Sequence, residues 1–166
     1  EYFLVAAADC TGHGVPGGFM SMLSNTMLNE AVNVYGLTDP DAILEYISLQ
    51  LRDTLNQDSN SETKDGMDVA LCVFDYDRSR VSYAGAHRPF VYIRDGKLHE
   101  IKGDKMSIAE PLHDDNSGQY TRHELELKEG DSIYLFSDGI VDQFGGPENK
   151  RLGRRALYEI FESAST

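Results

Sequence analysis

The chain has no tryptophan, only two cysteines and few basic residues. Its 15 lysines and arginines stand against 28 aspartates and glutamates, which gives a formal net charge of -13. Because nucleic-acid backbones are bound by clustered lysine and arginine, this deficit argues against nucleic acid as the main partner. The acidity fits a protein that holds cations, and it equally fits a surface that only serves solubility.

The cysteines, Cys10 and Cys72, form neither a disulfide framework nor a paired-cysteine metal motif. Reduced thiols are the default of a cytoplasmic protein, which is the location we expect. No apolar run approaches the roughly 18 residues that cross a bilayer, so we expect no membrane contact from this segment. The first residues also lack the basic start of a signal peptide.

The length of 166 residues predicts a single domain over residues 1–166. An apolar run begins at residue 2, and the last residues still follow a helical pattern. We therefore expect this domain to be partial, cut at both ends from a longer signalling protein.

Apolar periodicity predicts the elements. Helical spacing follows Pro16, with an apolar stripe at Met20, Leu23, Met27, Ala31 and Val34, and a second helix starts at Pro40 behind a capping Asp39. Residues 57–66 are polar and predict a loop. Short apolar runs predict strands over residues 3–8, 69–74, 81–84, 90–93, 98–101, 124–127 and 132–136, with a tight turn over residues 94–97 and a last helix over residues 154–161. The pattern predicts an α+β fold, an antiparallel β-sandwich flanked by helices.

Two aspartates follow apolar strands and precede glycine-rich turns. Asp9 ends the first strand before a turn rich in glycine, and Asp138 follows residues 132–136 and precedes Gly139. Mg²⁺ and Mn²⁺ prefer carboxylate, carbonyl and water ligands, so two such strand ends that converge would form a cation site. The alternative is structural, because aspartate beside glycine is a common turn pair and Asp9 can simply cap a helix.

Three runs of residues, in this order, resemble one known family: DCTGHGVPGGFMSML, YAGAHRPFVYIRDGKLHEIKGDKMSIA and GDSIYLFSDGIVDQFGG. Together they extend from Asp9 to Gly146. They are similar to the SpoIIE branch of the metal-dependent protein phosphatases (PPM), which have the phosphatase 2C fold. The resemblance implies αββα layers and a site for two Mn²⁺ or Mg²⁺ ions.

The resemblance also implies site residues and a reaction. Asp9 corresponds to the aspartate that bridges both metals, the carbonyl of Cys10 to the backbone ligand beside it, and Asp138 to an aspartate of the second ion. The implied reaction is hydrolysis of phosphoserine or phosphothreonine by a metal-activated water, without a protein nucleophile. Asp9, His13 and Asp138 are the candidate catalytic residues.

Two ligands of the family pattern have no counterpart here. One is an acidic residue in a Gly-Asp pair before the first strand, and the other is a late aspartate beyond the last helix. We therefore expect this segment alone to bind metal weakly and to hydrolyse little.

Other polar residues keep open roles. His13 can protonate the leaving oxygen, or it can be a turn histidine that only satisfies backbone groups. Asp68 can support the site indirectly, although a solvated carboxylate at a strand end is the preferred interpretation. The role of Asp142 is open, and Arg88 is one of several scattered bases that predict no phosphate-binding cluster.

On family grounds, the expected partner is a phosphorylated regulatory protein, with an anti-sigma-factor antagonist as one candidate. We expect a sensor domain outside this chain, and a homodimer is one open oligomeric state. The alternative function is a non-catalytic module of the same fold that docks a signalling partner.

Overall fold

The computed structural model of the chain describes residues 1–55, 65–109 and 120–164. The helices in these ranges are α1 (Gly14–Asn33), α2 (Pro40–Leu55), α3 (Asp138–Val141) and α4 (Gly153–Ala164). The strands are β1 (Tyr2–Cys10), β2 (Met67–Asp75), β3 (Arg80–Ala86), β4 (Phe90–Arg94), β5 (Lys97–Ile101), β6 (His123–Glu126), β7 (Ser132–Tyr134), β8 (Phe144–Gly145) and β9 (Lys150–Arg151). Among the described helices, none is long and apolar enough to pass through a bilayer.

The strands form two main antiparallel sheets. The first sheet has the order β1-β2-β3-β6 and the second has the order β5-β4-β7, while β8 and β9 form a small separate ribbon. The predicted turn over residues 94–97 joins β4 to β5, with Asp95 and Gly96 both at positive φ. The first sheet therefore ends on β1, which has β2 as its only strand partner among the described residues.

Two apolar clusters hold the layers together. The first lies between the first sheet and helices α1 and α2, and it includes Ile43, Leu44 and Leu51 of α2 with Val69 and Leu71 of β2. The second lies between the two sheets and is built from Ala70, Cys72, Val81, Tyr83 and Phe90. The side chains of β2 alternate between these clusters, as expected for a strand that is buried on both faces.

The outer face of the second sheet is covered by α4. The rings of Tyr134 and Phe161 stack with 4.0 Å between their centroids, and Tyr158 donates a hydrogen bond to Glu100. The order of layers is thus helix, sheet, sheet, helix. This confirms the predicted α+β sandwich with flanking helices.

Several local predictions need correction. The first helix begins at Gly14, two residues before Pro16, and ends at Asn33. Val34, predicted on the buried stripe, is 72% exposed because it follows the helix end. Asp39 directly precedes α2, as predicted, and its carbonyl accepts a hydrogen bond from the N–H of Ile43 while its carboxylate pairs with Arg122. Most of the loop predicted over residues 57–66 lies outside the described residues.

A partly buried ion pair at the end of β4 gives the stability of the fold a dependence on pH. Arg94 donates two hydrogen bonds to the Asp131 carboxylate, at 2.9 and 2.6 Å, and the backbone N–H of Lys128 donates a third at 2.9 Å. The hydrogen bonds from Arg94 lower the pKa of Asp131 below its ordinary value. Because the folded-state pKa is depressed, this stabilisation is complete above the unfolded pKa of about 3.9 and is lost as pH falls through the folded value.

We expect Asp131→Asn to lower the urea midpoint of unfolding at pH 7, because the partly buried guanidinium of Arg94 loses its charged partner. The difference from the wild type should shrink as pH falls from 5 to 3. Urea titrations at several pH values measure this, with the exposed Glu129→Gln as control. A difference that stays constant down to pH 3 would show that the charge of Asp131 does not contribute.

Candidate functional site

The first two carboxylates of the site lie on neighbouring strands. In the antiparallel pairing of β1 with β2, Asp9 is directly opposite Asp68, and Cys10 is opposite Met67. Residues directly opposite each other share a face of the sheet, and the next pair along points to the other face. Asp9 and Asp68 are therefore on one face, while Cys10 packs against the first apolar cluster and donates a weak hydrogen bond from Sγ to Ser24, at 3.6 Å.

The third carboxylate comes from the second sheet. Strand β7 ends at Tyr134, and Asp138 is the first residue of the short helix α3. An aspartate in the first turn is favourable because free backbone N–H groups lie there. Asp138 is half exposed, at the same end of the sandwich as Asp9 and Asp68.

One guanidinium unites the three carboxylates. Nη2 of Arg88 lies 2.7 Å from Oδ2 of Asp138, 3.2 Å from Oδ2 of Asp68 and 3.6 Å from Oδ2 of Asp9. The side chain of Arg88 is only 13% exposed. The fold thus brings together Asp9 and Asp138, which are 129 positions apart in the sequence, as the family resemblance implied.

The electrostatics differ between the two predicted aspartates. Burial, followed by the nearby charge of Asp138, raises the pKa of Asp9. The hydrogen bond from Arg88 lowers the pKa of Asp138 despite partial burial. The cluster thus holds excess negative charge, as expected where carboxylates outnumber the cation between them.

Of the other candidate residues, Asp68 belongs to this cluster, whereas His13 and Asp142 are not among the residues whose side chains pair with Arg88. His13 is exposed and is the N-cap residue of α1, and its side chain accepts no capping hydrogen bond from the first turn of that helix. Asp142 ends α3 and pairs with Arg151. Asp68, interpreted from the sequence as solvated, is instead partly buried and accepts a 2.6 Å hydrogen bond from Ser107.

The donor set suits a hard divalent cation in its chemistry. Three carboxylates face one guanidinium, and together they carry a formal charge of -2. One Mg²⁺ or Mn²⁺ ion would neutralise this charge. Over residues 1–55, 65–109 and 120–164, however, no acidic, histidine or cysteine side chains already form a metal-binding group of three or more. The ligand types thus fit a divalent metal, while the guanidinium of Arg88 lies at the point where the three carboxylates meet.

Comparison with solved structures defines the class of fold. The SiaA-PP2C domain of Pseudomonas aeruginosa matches 97% of this chain with a TM-score of 0.80 and 30% identity, over 65% of its own length. The SpoIIE phosphatase domain of Bacillus subtilis, with a fragment of its regulatory domain, matches 95% of the chain (TM-score 0.70, 17% identity, 42% of its length). The catalytic domain of the serine/threonine phosphatase PstP, in complex with two manganese ions, matches 96% (TM-score 0.58, 17% identity, 80% of its length). The fold is that of the PP2C-type phosphatases.

The family follows from the sequence itself. The profile of the Stage II sporulation protein E (SpoIIE) family matches residues 1–166, and the chain belongs to that family. This confirms the resemblance drawn from the three ordered runs. The chain spans just under two thirds of the SiaA domain and less than half of the SpoIIE structure. No curated protein matches the chain.

Proposed function

We propose that this chain forms part of a metal-dependent phosphatase that hydrolyses phosphoserine or phosphothreonine in a bacterial regulatory protein. The observation that carries the proposal is the meeting of Asp9, Asp68 and Asp138 at one point of a SpoIIE-family chain. A non-catalytic docking module would not need three carboxylates held together against their mutual repulsion. The enzyme is therefore the preferred function.

The cofactor in the proposal is Mn²⁺ or Mg²⁺, with two ions in the complete site. Asp9 and Asp138 would hold the metal, with the carbonyl of Cys10 beside them and Asp68 as an additional carboxylate from β2. When bound, such an ion activates water and neutralises charge on phosphoryl oxygens. PstP with two manganese ions and RsbX with magnesium support this assignment by fold similarity.

Residues of this chain hold the carboxylates in position and would supply a proton to the leaving group. Asp9 and Asp68 are fixed by the ladder between β1 and β2, and Asp138 is fixed by the start of α3. His13, at the exposed start of α1, would give a proton to the leaving oxygen of the substrate side chain. Its exposure makes it accessible to a protein-borne phosphate.

Neither cysteine suits a covalent phosphatase mechanism. Cys72 is fully buried in the second apolar cluster, and burial raises its pKa to about 12. The Sγ of Cys10 points into the first cluster toward Ser24. Because the nucleophilic form of cysteine is the thiolate, both thiols are poorly placed to attack phosphorus.

The substrate in the proposal is a folded phosphoprotein, with an anti-sigma-factor antagonist as the first candidate. Two solved structures of related fold contain a further domain of the same protein: that of the RsbU and RsbW domains of Rv1364c from Mycobacterium tuberculosis, and that of SpoIIE with a fragment of its regulatory domain. The proposal also includes a sensor domain outside this chain, a cytoplasmic location and a homodimeric state.

The test is metal-dependent phosphate release from phosphoserine and phosphothreonine peptides, measured for this chain and for the longest natural protein that contains it. We expect turnover with Mn²⁺ that EDTA abolishes and iodoacetamide leaves unchanged, with lower turnover in the shorter chain. Turnover that persists in EDTA, or that iodoacetamide abolishes, would contradict the proposal. A folded long protein that binds its partner but releases no phosphate would instead be the docking module.

A further inference from the structure

Arg88 occupies the point at which a cation would bind. Its Nη2 contacts one oxygen of each of Asp9, Asp68 and Asp138, within 3.6 Å in every case. Its Nε is buried and has no hydrogen-bond partner in the part of the chain that the structure describes. The guanidinium therefore depends on these carboxylates for its charge compensation.

The position of Arg88 is built into the backbone. The Tyr83 hydroxyl donates a 2.5 Å hydrogen bond to the Arg88 carbonyl, and the N–H of Arg88 donates to the Ala86 carbonyl at 2.7 Å. A Cβ on Gly85 or Gly103 would lie 2.5 or 2.8 Å from the same Arg88 carbonyl. The tight corner after β3 thus requires two glycines and a buried tyrosine, and it presents Arg88 to the carboxylates.

We propose that Arg88 is an internal counter-ion that holds the three carboxylates together in the metal-free protein and competes with the divalent cation for them. The inference rests on the proposed metal site, which it deepens by naming a residue that sets its affinity. Two positive charges at one point repel each other, so a metal ion enters only as the guanidinium withdraws from the carboxylate oxygens. Arg88 is a positioning residue in this proposal, because it acts on the aspartates.

The proposal gives Arg88 two opposite effects. Without metal, the guanidinium reduces the repulsion among the carboxylates and stabilises the fold. With metal, the same charge weakens binding. A purely structural arginine would affect only stability, and an arginine that only binds the substrate phosphate would affect neither stability nor metal affinity in the absence of substrate.

The test is Arg88→Gln in this chain, with Mn²⁺ affinity measured by calorimetry without substrate and thermal unfolding measured in EDTA. Removal of a cation in contact with the ligands should tighten Mn²⁺ binding by about tenfold or more. The same variant should unfold at a lower temperature in EDTA, and saturating Mn²⁺ should restore most of that loss. Arg88→Lys, which keeps the charge, should stay near the wild type in both measurements and serves as the reference if Arg88→Gln fails to fold.

Arg122→Gln is the matched control, because Arg122 also joins two carboxylates, those of Asp39 and Glu124, away from this cluster. Its Mn²⁺ affinity should equal that of the wild type. If the wild type binds Mn²⁺ and Arg88→Gln binds it equally or more weakly, the competition is refuted while the metal site stands. If the wild type and every variant bind no Mn²⁺, in this chain and in the longer protein, the proposed function fails with it.

Discussion

Replacement of Asp138 by asparagine should reduce Mn²⁺-dependent phosphate release by at least about 100-fold, and Asp9→Asn should do the same. Either change keeps the size of the side chain but removes a charge that would hold the metal, at a cost of several kcal/mol in transition-state stabilisation. The measurement is kcat on a phosphoserine peptide at saturating Mn²⁺. Asp138→Asn also removes the charged acceptor of the 2.7 Å bond from Arg88.

Asp53→Asn is the control for these variants, since Asp53 is an exposed residue of α2 and is not among the carboxylates that pair with Arg88. It should keep wild-type kcat and Mn²⁺ affinity. Folding of each variant is checked by circular dichroism, because loss of one carboxylate should not unfold the chain. Wild-type kcat in a folded Asp9→Asn or Asp138→Asn protein would remove these residues from the catalytic site.

Gly85→Ala is expected to destabilise the fold by roughly 3 kcal/mol or more, because overpacking in a rigid core is rarely relieved. The added Cβ would lie 2.1 Å from the Tyr83 hydroxyl and 2.5 Å from the Arg88 carbonyl. Both neighbours are constrained, since Tyr83 is fully buried between the sheets. Urea unfolding measures the loss of stability. If the folded fraction of the variant binds Mn²⁺ more tightly than the wild type does, Arg88 has moved.

Gly18→Ala is the matched control for the glycine substitution. Gly18 lies inside α1, and a Cβ there would meet no atom within 4 Å. Alanine should therefore stabilise the helix by up to about 1 kcal/mol. Equal stability of Gly85→Ala and the wild type would show that the corner after β3 adapts, and that Arg88 is not fixed by it.

The sequence predicted the elements well because the apolar periods are clear. The helix from Pro40 to Leu55 and the turn at Asp95-Gly96 match their predictions closely. The stripe of α1 failed at Val34, which follows the end of the helix at Asn33 and is exposed.

For the site, the family resemblance implied that Asp9 and Asp138 would lie together, but the sequence analysis missed Arg88. Nothing near Arg88 in the chain is acidic, so its three partners exist only after the two sheets have packed. Asp68 had a usable signal. If β1 and β2 are paired as antiparallel neighbours, counting back along both strands places Asp68 opposite Asp9. The assignment of Asp9 and Asp138 as metal ligands stays a prediction.

The pairing of Asp9 with Asp68 couples the site to the register of β1 on β2. A slip of β1 by one residue would turn Asp9 to the opposite face of the sheet and bring Cys10 to its place. Any ligand that needs both carboxylates thus binds one alignment of β1 and none of its neighbours, and it stabilises that alignment by mass action. Ligand binding would then select the native register of β1, and amide hydrogen exchange along β1 would slow as the site fills.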